Sequence, residues 1–140
     1  MRVLLQTTPD QADALAETSR LFTLSFNAVC AYGWEQGEKN GVKLHHETYA
    51  TLKAKYPTLV SDHHIQARVK ATEALKSAFA LKRKGKTVSA PHSQACPPRY
   101  NVHTYKVNWT DSTVRMSTVA GRVTLSFHVP DYARQYIGGT

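Results

Sequence analysis

Histidine and cysteine are the side chains that most often bind transition metals, and this sequence contains seven histidines and two cysteines. The histidines include two adjacent pairs, His45-His46 and His63-His64, and the cysteines are Cys30 and Cys96. A structural zinc site needs four ligands at short spacings, and a catalytic site needs three. His92 and Cys96 supply only two ligands in one loop, and no two histidines flank a single hydrophobic residue. We therefore predict no metal site and no cofactor.

Carboxylates are the groups that metal-dependent nucleases gather around their ions. Most acidic residues fall on or beside two predicted N-terminal helices: Asp10, Asp13, Glu17, Glu35, Glu38 and Glu47. After residue 86 only Asp111 and Asp131 remain, one in a predicted turn and one beyond the strand-ending Pro130. The glycine motifs GxxxxGK(S/T) and GxGxxG and the serine-hydrolase motif GxSxG are also missing. The sequence therefore predicts no catalytic residue, and we expect that the chain is not an enzyme by itself.

The strongest signal in the composition is positive charge, since 18 Lys and Arg against ten Asp and Glu give a net charge of +8. Between residues 63 and 106 there are nine cations and one acid, Glu73, so the whole excess lies in this window. We expect Glu73 to form an ion pair with Lys70 or Lys76 on the same helix. Clustered cations favour a polyanionic partner, because each neutralised phosphate releases condensed counterions.

The basic window and the arginine of the last predicted strand supply the predicted nucleic-acid-binding residues. These are Arg68, Lys70, Lys76, Lys82, Arg83, Lys84, Lys86, Arg99, Tyr100, Tyr105, Lys106 and Arg122. The two tyrosines, interleaved with cations, are expected to stack on unpaired bases. The alternative is that residues 82–86 are a solvated helix end and that both tyrosines belong to the core.

Helical signals fill residues 9–86, which must position most of these cations. They predict three helices: one from a Thr8-Pro9-Gln11 capping box to Gly37, one over residues 46–56, and one from a Ser61-Asp62 cap to the basic residues 82–86. The last helix ends in cations, which the helix macrodipole favours at that position.

The remaining segments have the alternation typical of strands. Strands are predicted over residues 2–7, 100–109, 113–118 and 122–129, with turns at Asp111-Ser112 and Gly121. Residues 87–98 contain three prolines and no periodicity, so they predict a long connection at a lobe boundary. The fold class is therefore α+β, with an opening strand, three helices and at least three antiparallel strands.

The sequence also predicts the compartment. No run approaches the roughly twenty apolar residues that a membrane span needs, and the residues before Pro9 are too few for a signal peptide. Two cysteines 66 positions apart do not form a disulfide framework, which is typical of a reducing compartment. We expect a cytoplasmic protein without a membrane partner.

Six segments carry a further signal, residues 4–11, 26–30, 65–76, 100–105, 114–118 and 121–123. In this order they resemble segments of the N-terminal half of TnpB, the RNA-guided nuclease family of bacterial insertion sequences that is related to type V CRISPR effectors. The resemblance implies a small antiparallel β-barrel-like wedge lobe, residues 1–8 and 87–140, interrupted by an inserted three-helix recognition lobe, residues 9–86. In that family the two lobes hold the guide RNA and the RNA–DNA heteroduplex.

The RuvC-like nuclease of the family follows this region, and the sequence stops at Thr140, where that part would begin. The resemblance therefore implies a nucleic-acid-binding module without the catalytic part. Two alternatives stay open. One is a small basic structural protein that binds a protein partner or associates with itself, and the other is a non-catalytic subunit of a split nuclease.

Overall fold

The computed structural model describes residues 3–136, in which three long helices, a four-stranded antiparallel sheet and one short helix are present. The elements are β1 (Leu5–Gln6), α1 (Pro9–Gln36), α2 (Gly41–Lys55), α3 (Ser61–Arg83), β2 (Tyr105–Asn108), β3 (Thr113–Thr118), β4 (Gly121–Phe127) and α4 (Asp131–Arg134). The α+β class is confirmed. The predicted lobes also include residues 1, 2 and 137–140, which lie outside the described residues.

The ends of α1 follow the local sequence signals. The Gln11 amide donates to Thr8 Oγ1 at 3.2 Å, and the Thr8 amide donates to Gln11 Oε1 at 3.0 Å, which completes the capping box. At the other end Gly37 adopts φ +64°, a left-handed conformation that glycine reaches without a steric penalty. The predicted beginning and end of this helix are confirmed.

The beginnings of the next two helices differ from the prediction. Helix α2 begins at Gly41 instead of residue 46, because the Asn40 side chain accepts a hydrogen bond from the Lys43 amide at 3.1 Å and caps it. Helix α3 begins at Ser61, but Val60 occupies the N-cap position without a side-chain hydrogen bond. The predicted Ser61-Asp62 cap is therefore wrong, and Asp62 lies in the first turn, where the helix macrodipole favours a carboxylate.

Helices α1 and α3 run parallel to each other. Phe22 lies near His63 at the beginning of α3, with 6.3 Å between ring centroids, and Trp34 stacks on Phe79 near its end at 4.9 Å. Gly33 permits the close approach, because a Cβ atom there would lie 2.5 Å from Leu75 Cδ1 and 2.8 Å from the Glu38 carbonyl oxygen. The helical core combines the apolar stripes of α1, α2 and α3 with Cys96 from the connection.

The connection between α3 and β2 returns along α1. Asn27 Nδ2 donates to the Ser93 carbonyl oxygen at 2.8 Å, and the Cys96 amide donates to Thr23 Oγ1 at 2.9 Å. These contacts move toward the beginning of α1 as the connection advances, so residues 84–104 bring the chain back to the beginning of α3 and the sheet. The segment has no helix or strand, as its prolines predict, but its backbone is anchored by side chains of α1.

The sheet has the strand order β1-β4-β3-β2, and every neighbouring pair is antiparallel. It is open, with β1 and β2 as its two edges, so the barrel implied by the resemblance is not closed in residues 3–136. Four strands with edges of only two and four residues are too few to close a barrel. Within residues 3–7, the strand predicted over residues 2–7 is reduced to Leu5–Gln6, and Arg2 lies outside the described residues.

The next predicted strand is also shortened, whereas the last two agree with the prediction more closely. The strand predicted over residues 100–109 is only Tyr105–Asn108, since Asn101 to Thr104 form a turn in which the Thr104 amide donates to the Asn101 carbonyl at 3.0 Å. Strand β3 is confirmed at residues 113–118, and β4 spans Gly121–Phe127. Within the described residues, none of the helices is long and apolar enough to cross a bilayer.

Candidate nucleic-acid interface

The strand register gives the sheet two faces of different chemistry. On one face Val107, Val114 and Leu125 are aligned across three strands, and they belong to the apolar cluster that also contains Phe127 and Leu15 of α1. The opposite face is polar, and it is exposed to solvent except at Thr113, which is half-buried, and Ser117, which is buried. Because side chains alternate along a strand, this register determines which cations share the polar face.

Three cations cross the polar face of the sheet, one on each of three strands. Lys106 of β2 lies directly opposite Arg115 of β3, and Arg122 of β4 follows one pair further along the same face. We name these three residues the sheet surface. None of the four described strands contains an Asp or Glu, so no carboxylate within the strands neutralises this charge. Like charges directly opposite each other destabilise a sheet, and the pair of Lys106 and Arg115 is therefore unfavourable for the fold alone.

Hydrogen-bonding groups accompany the cations. A shallow depression of about 230 Å³ is lined by Lys106, Asn108, Thr113, Arg115 and Thr124. At the other end of the sheet surface, Arg122 Nη2 donates to the His103 carbonyl oxygen at 2.9 Å. Amide, hydroxyl and guanidinium groups are the donors that proteins use to contact phosphate oxygens.

The other exposed cations lie at the far end of α3. We name Lys82, Arg83, Lys84 and Lys86 the helix-end surface; all four are exposed, as is Lys76 one to two turns earlier. Lys82 Nζ lies 5.2 Å from the centre of the Trp34 ring of α1. The beginning of α3 contacts the sheet side through His63 and Tyr100, so a helix of 23 residues, about 35 Å, separates the two surfaces. The predicted basic window is thus divided between two ends of the molecule.

Besides Lys82 and Arg122, four of the predicted binding residues make contacts within the protein. Arg99 forms an ion pair with Glu73, with Nη2 and Oε2 3.0 Å apart, so Glu73 does not pair with Lys70 or Lys76 as expected. This contact lowers the pKa of Glu73 and raises that of Arg99. Lys70 Nζ donates to the Pro97 carbonyl at 3.1 Å and lies over the Phe22 ring.

Arg68 and Tyr100 are the other two. Arg68 packs against the beginning of α2, so closely that a Cβ atom added to Gly41 would lie 2.7 Å from Arg68 Nη1. Burial lowers the pKa of Arg68. The Tyr100 hydroxyl donates to the Ser117 carbonyl at 2.9 Å, and burial raises the Tyr100 pKa to about 12. Tyr105, by contrast, is 42% exposed at the edge of the sheet.

Arg115 is a candidate residue that sequence reasoning missed. The alternation within residues 113–118 places Arg115 on the polar face, and the hairpin at Gly121 aligns it with Thr124 and, through β2, with Lys106. The alternation alone gives the face on which Arg115 lies. Its neighbours on other strands follow only from the strand register.

No group of three or more His, Cys, Asp or Glu side chains lies together within residues 3–136 in a geometry that could hold a metal ion. Cys30 and Cys96 are both buried free thiols, and burial raises the Cys30 pKa to about 12. No protein-family model, curated protein or solved structure matches the sequence.

Proposed function

We propose that this chain is a nucleic-acid-binding module that contacts the phosphate backbone through the sheet surface, Lys106, Arg115 and Arg122. The observation that carries this proposal is the alignment of these cations on one exposed face, with Lys106 and Arg115 in direct register. Such an arrangement costs folding free energy, and this cost is offset when an anion lies between the charges.

The sheet surface is a better candidate for the main contact than the helix-end surface. Because α1 and α3 are parallel, Glu35 near the end of α1 lies at the same end of the helices as Lys82, and its carboxylate reduces the local positive potential. At the sheet surface the nearby acids belong to other segments: Asp62 of α3 lines a depression with Arg122, and Asp111 accepts a hydrogen bond from Asn108. The direct register of Lys106 and Arg115 is therefore what favours the sheet surface. The helix-end surface then supplies a second, weaker contact to a long nucleic acid.

The resemblance to TnpB suggests the class of partner, a guide RNA or an RNA–DNA heteroduplex, bound by a chain that has no nuclease activity of its own. In this proposal the chain works with a separate catalytic part, in the cytoplasm, where guide RNA is made. The α+β order of elements supports the proposal only at the level of architecture.

The test compares two variants that lose the same charge. One replaces Lys106, Arg115 and Arg122 with Gln, and its matched control replaces Arg83, Lys84 and Lys86 with Gln. We expect the sheet variant to lower affinity for a short RNA by at least about tenfold at low salt and the helix-end variant to lower it less. Equal losses would contradict the choice of the sheet surface, and unchanged affinity in both would contradict nucleic-acid binding through these cations. Circular dichroism and thermal melts confirm folding of both variants.

A second candidate function, association with a protein, is favoured by the free edge strand β1. Leu4 beside it is 83% exposed, and only one side of β1 is paired. Sedimentation of the nuclease-treated protein tests this alternative. A dimer that persists after Leu4→Lys would show that the β1 edge is not the contact.

A further inference from the structure

A cleft lies beside the outer edge of β2, between two half-exposed aromatic rings. Its volume is about 420 Å³, and it is lined by Val102, Tyr105, Lys106, Val107 and Trp109. Tyr105 is 42% exposed, Trp109 48% and Val102 83%. We name these five residues the edge cleft. It has apolar and aromatic walls with a single charged group, which is a lysine.

Both aromatic rings of the edge cleft pack against another aromatic side chain of the protein. The Tyr105 and Tyr100 rings pack in a T-shaped arrangement, with 6.5 Å between centroids and 85° between planes, and the Tyr100 hydroxyl donates a hydrogen bond to the Ser117 carbonyl. Trp109 meets Phe127 at 5.7 Å and 83°, and Phe127 belongs to the core of the sheet. Rings fixed in this way lose little conformational freedom when a planar group packs against them.

Lys106 joins the edge cleft to the sheet surface. It lines the cleft and also lies opposite Arg115 in the strand register. The nearest acid in sequence, Asp111, accepts a hydrogen bond from Asn108 Nδ2 at 3.0 Å, which holds it in the β2–β3 turn. Tyr105, Val107 and Trp109 alternate with Lys106 and therefore lie on the opposite side of β2 from the sheet surface. An occupant that passes around the outer edge of β2, with a planar apolar part in the cleft and an anionic part on the polar face, is complementary to this combination.

We propose that the edge cleft binds unpaired bases of a single-stranded nucleic acid whose phosphates lie on the sheet surface. This inference rests on the proposed function and adds the form of the nucleic acid. Bases within a duplex are stacked on their neighbours and cannot enter the cleft, whereas bases of a single strand expose faces that stack on Tyr and Trp. The cationic rim also favours this occupant over a neutral peptide strand added to the β2 edge.

The experiment uses Trp109 as its own reporter. A Trp34→Phe background leaves Trp109 as the only tryptophan in the chain. Its fluorescence is followed while an oligouridylate of about 12 nucleotides, or an RNA duplex of the same length, is added. We expect quenching by the single strand and little change with the duplex. Trp34→Phe itself is the matched aromatic control, because the Trp34 ring packs between α1 and α3, away from the cleft.

Affinities of variants complete the test. Trp109→Ala and Tyr105→Ala are each expected to weaken oligouridylate binding by about 5- to 100-fold and to leave duplex binding unchanged. Trp109→Phe keeps an aromatic ring and restores most of the affinity, which excludes a folding defect as the cause.

The outcomes separate the two proposals. If the sheet variant loses affinity for both RNAs while Trp109→Ala keeps its affinity for the single strand, the proposal that the edge cleft binds bases is wrong and the proposed function stands. If the unaltered chain binds neither RNA, both fail. If Trp109→Ala dissociates a dimer without changing RNA affinity, the cleft is a contact between copies, and the base-binding proposal is wrong.

Discussion

The rings of His63 and Tyr100 meet edge to face, with 4.7 Å between centroids and 85° between planes. His63 is fully buried at the beginning of α3, and neither of its ring nitrogens has a hydrogen-bond partner among residues 3–136. Burial is the main cause that lowers its pKa to about 4. The contact joins the helices to the segment that leads into the sheet, and burial without hydrogen-bond partners favours a neutral imidazole there.

Acid is therefore expected to destabilise the protein through His63. The folded pKa of about 4 lies below the ordinary value of 6.5, so the unfolded chain binds the proton first and stability falls as pH falls from 6.5 to 4. The difference amounts to about 3 kcal/mol for this residue. His63→Phe removes the titrating ring and flattens this dependence, as measured by urea unfolding at about pH 7 and about pH 4.5.

His64 supplies the comparison for that experiment. Its Nε2 donates to the Tyr56 carbonyl at 3.0 Å and its Nδ1 lies 3.1 Å from Ser25 Oγ, so it is satisfied as a neutral ring, and burial lowers its pKa also. A residual loss of stability in acid is thus expected in His63→Phe. A pH dependence equal to that of the unaltered chain would contradict the role of His63.

Gly33→Ala is expected to lower the free energy of unfolding by about 1–3 kcal/mol, because its Cβ would overlap Leu75 and the backbone oxygen of Glu38. The matched control is Gly41→Ala in α2, whose Cβ would meet only the end of the Arg68 side chain at less than 3 Å. Urea unfolding measures both variants. A loss for Gly41→Ala as large as for Gly33→Ala would show that close packing at Gly33 is not the cause.

Binding is expected to weaken steeply with salt, because phosphate contacts release counterions. Arg115→Gln should reduce the slope of log affinity against log salt by about one, as one phosphate contact is lost. Lys39→Gln removes the same charge from the segment that joins α1 and α2, and it should leave the slope unchanged. Affinity that does not depend on salt would exclude the electrostatic mechanism.

The isolated chain is expected to cut neither DNA nor RNA with Mg²⁺ or Mn²⁺. Two-metal cleavage needs several converging carboxylates, whereas Asp111 bonds to Asn108 and Asp131 lies 3.3 Å from Arg134. Labelled single strands and duplexes of both nucleic acids are incubated with the chain and with an Asp111→Ala, Asp131→Ala variant. Metal-dependent cleavage that disappears in the variant would show that the chain is a nuclease.

Features determined by neighbouring residues were predictable from the sequence. The capping box at Thr8, the helix end at Gly37 and the alternation of β3 each depend on a few adjacent positions, and all three are confirmed. The beginning of α2 was not predictable, because Asn40 followed by Gly41 is typical of a turn. In the structure the Asn40 side chain accepts a hydrogen bond from the Lys43 amide and caps the helix.

The candidate site was only partly predictable, because it depends on contacts between distant residues. The ion pair of Glu73 and Arg99 joins α3 to the connection, and the 23-residue length of α3 separates cations that are close in sequence. Conversely, the strand register brings together Lys106, Arg115 and Arg122. Charge counted along the chain selects residue types, but it does not show which of them share a surface.

The pairing of β1 with β4 also determines when the sheet can be completed during synthesis. Leu5 lies opposite Phe127, a partner that the ribosome adds about 120 positions later. The helices α1, α2 and α3 are contiguous in sequence and emerge well before that partner, whereas β1 stays unpaired until β4 has left the exit tunnel. During that interval β1 and the adjacent Leu4 have no sheet partner, which leaves an unpaired strand edge open to chaperones.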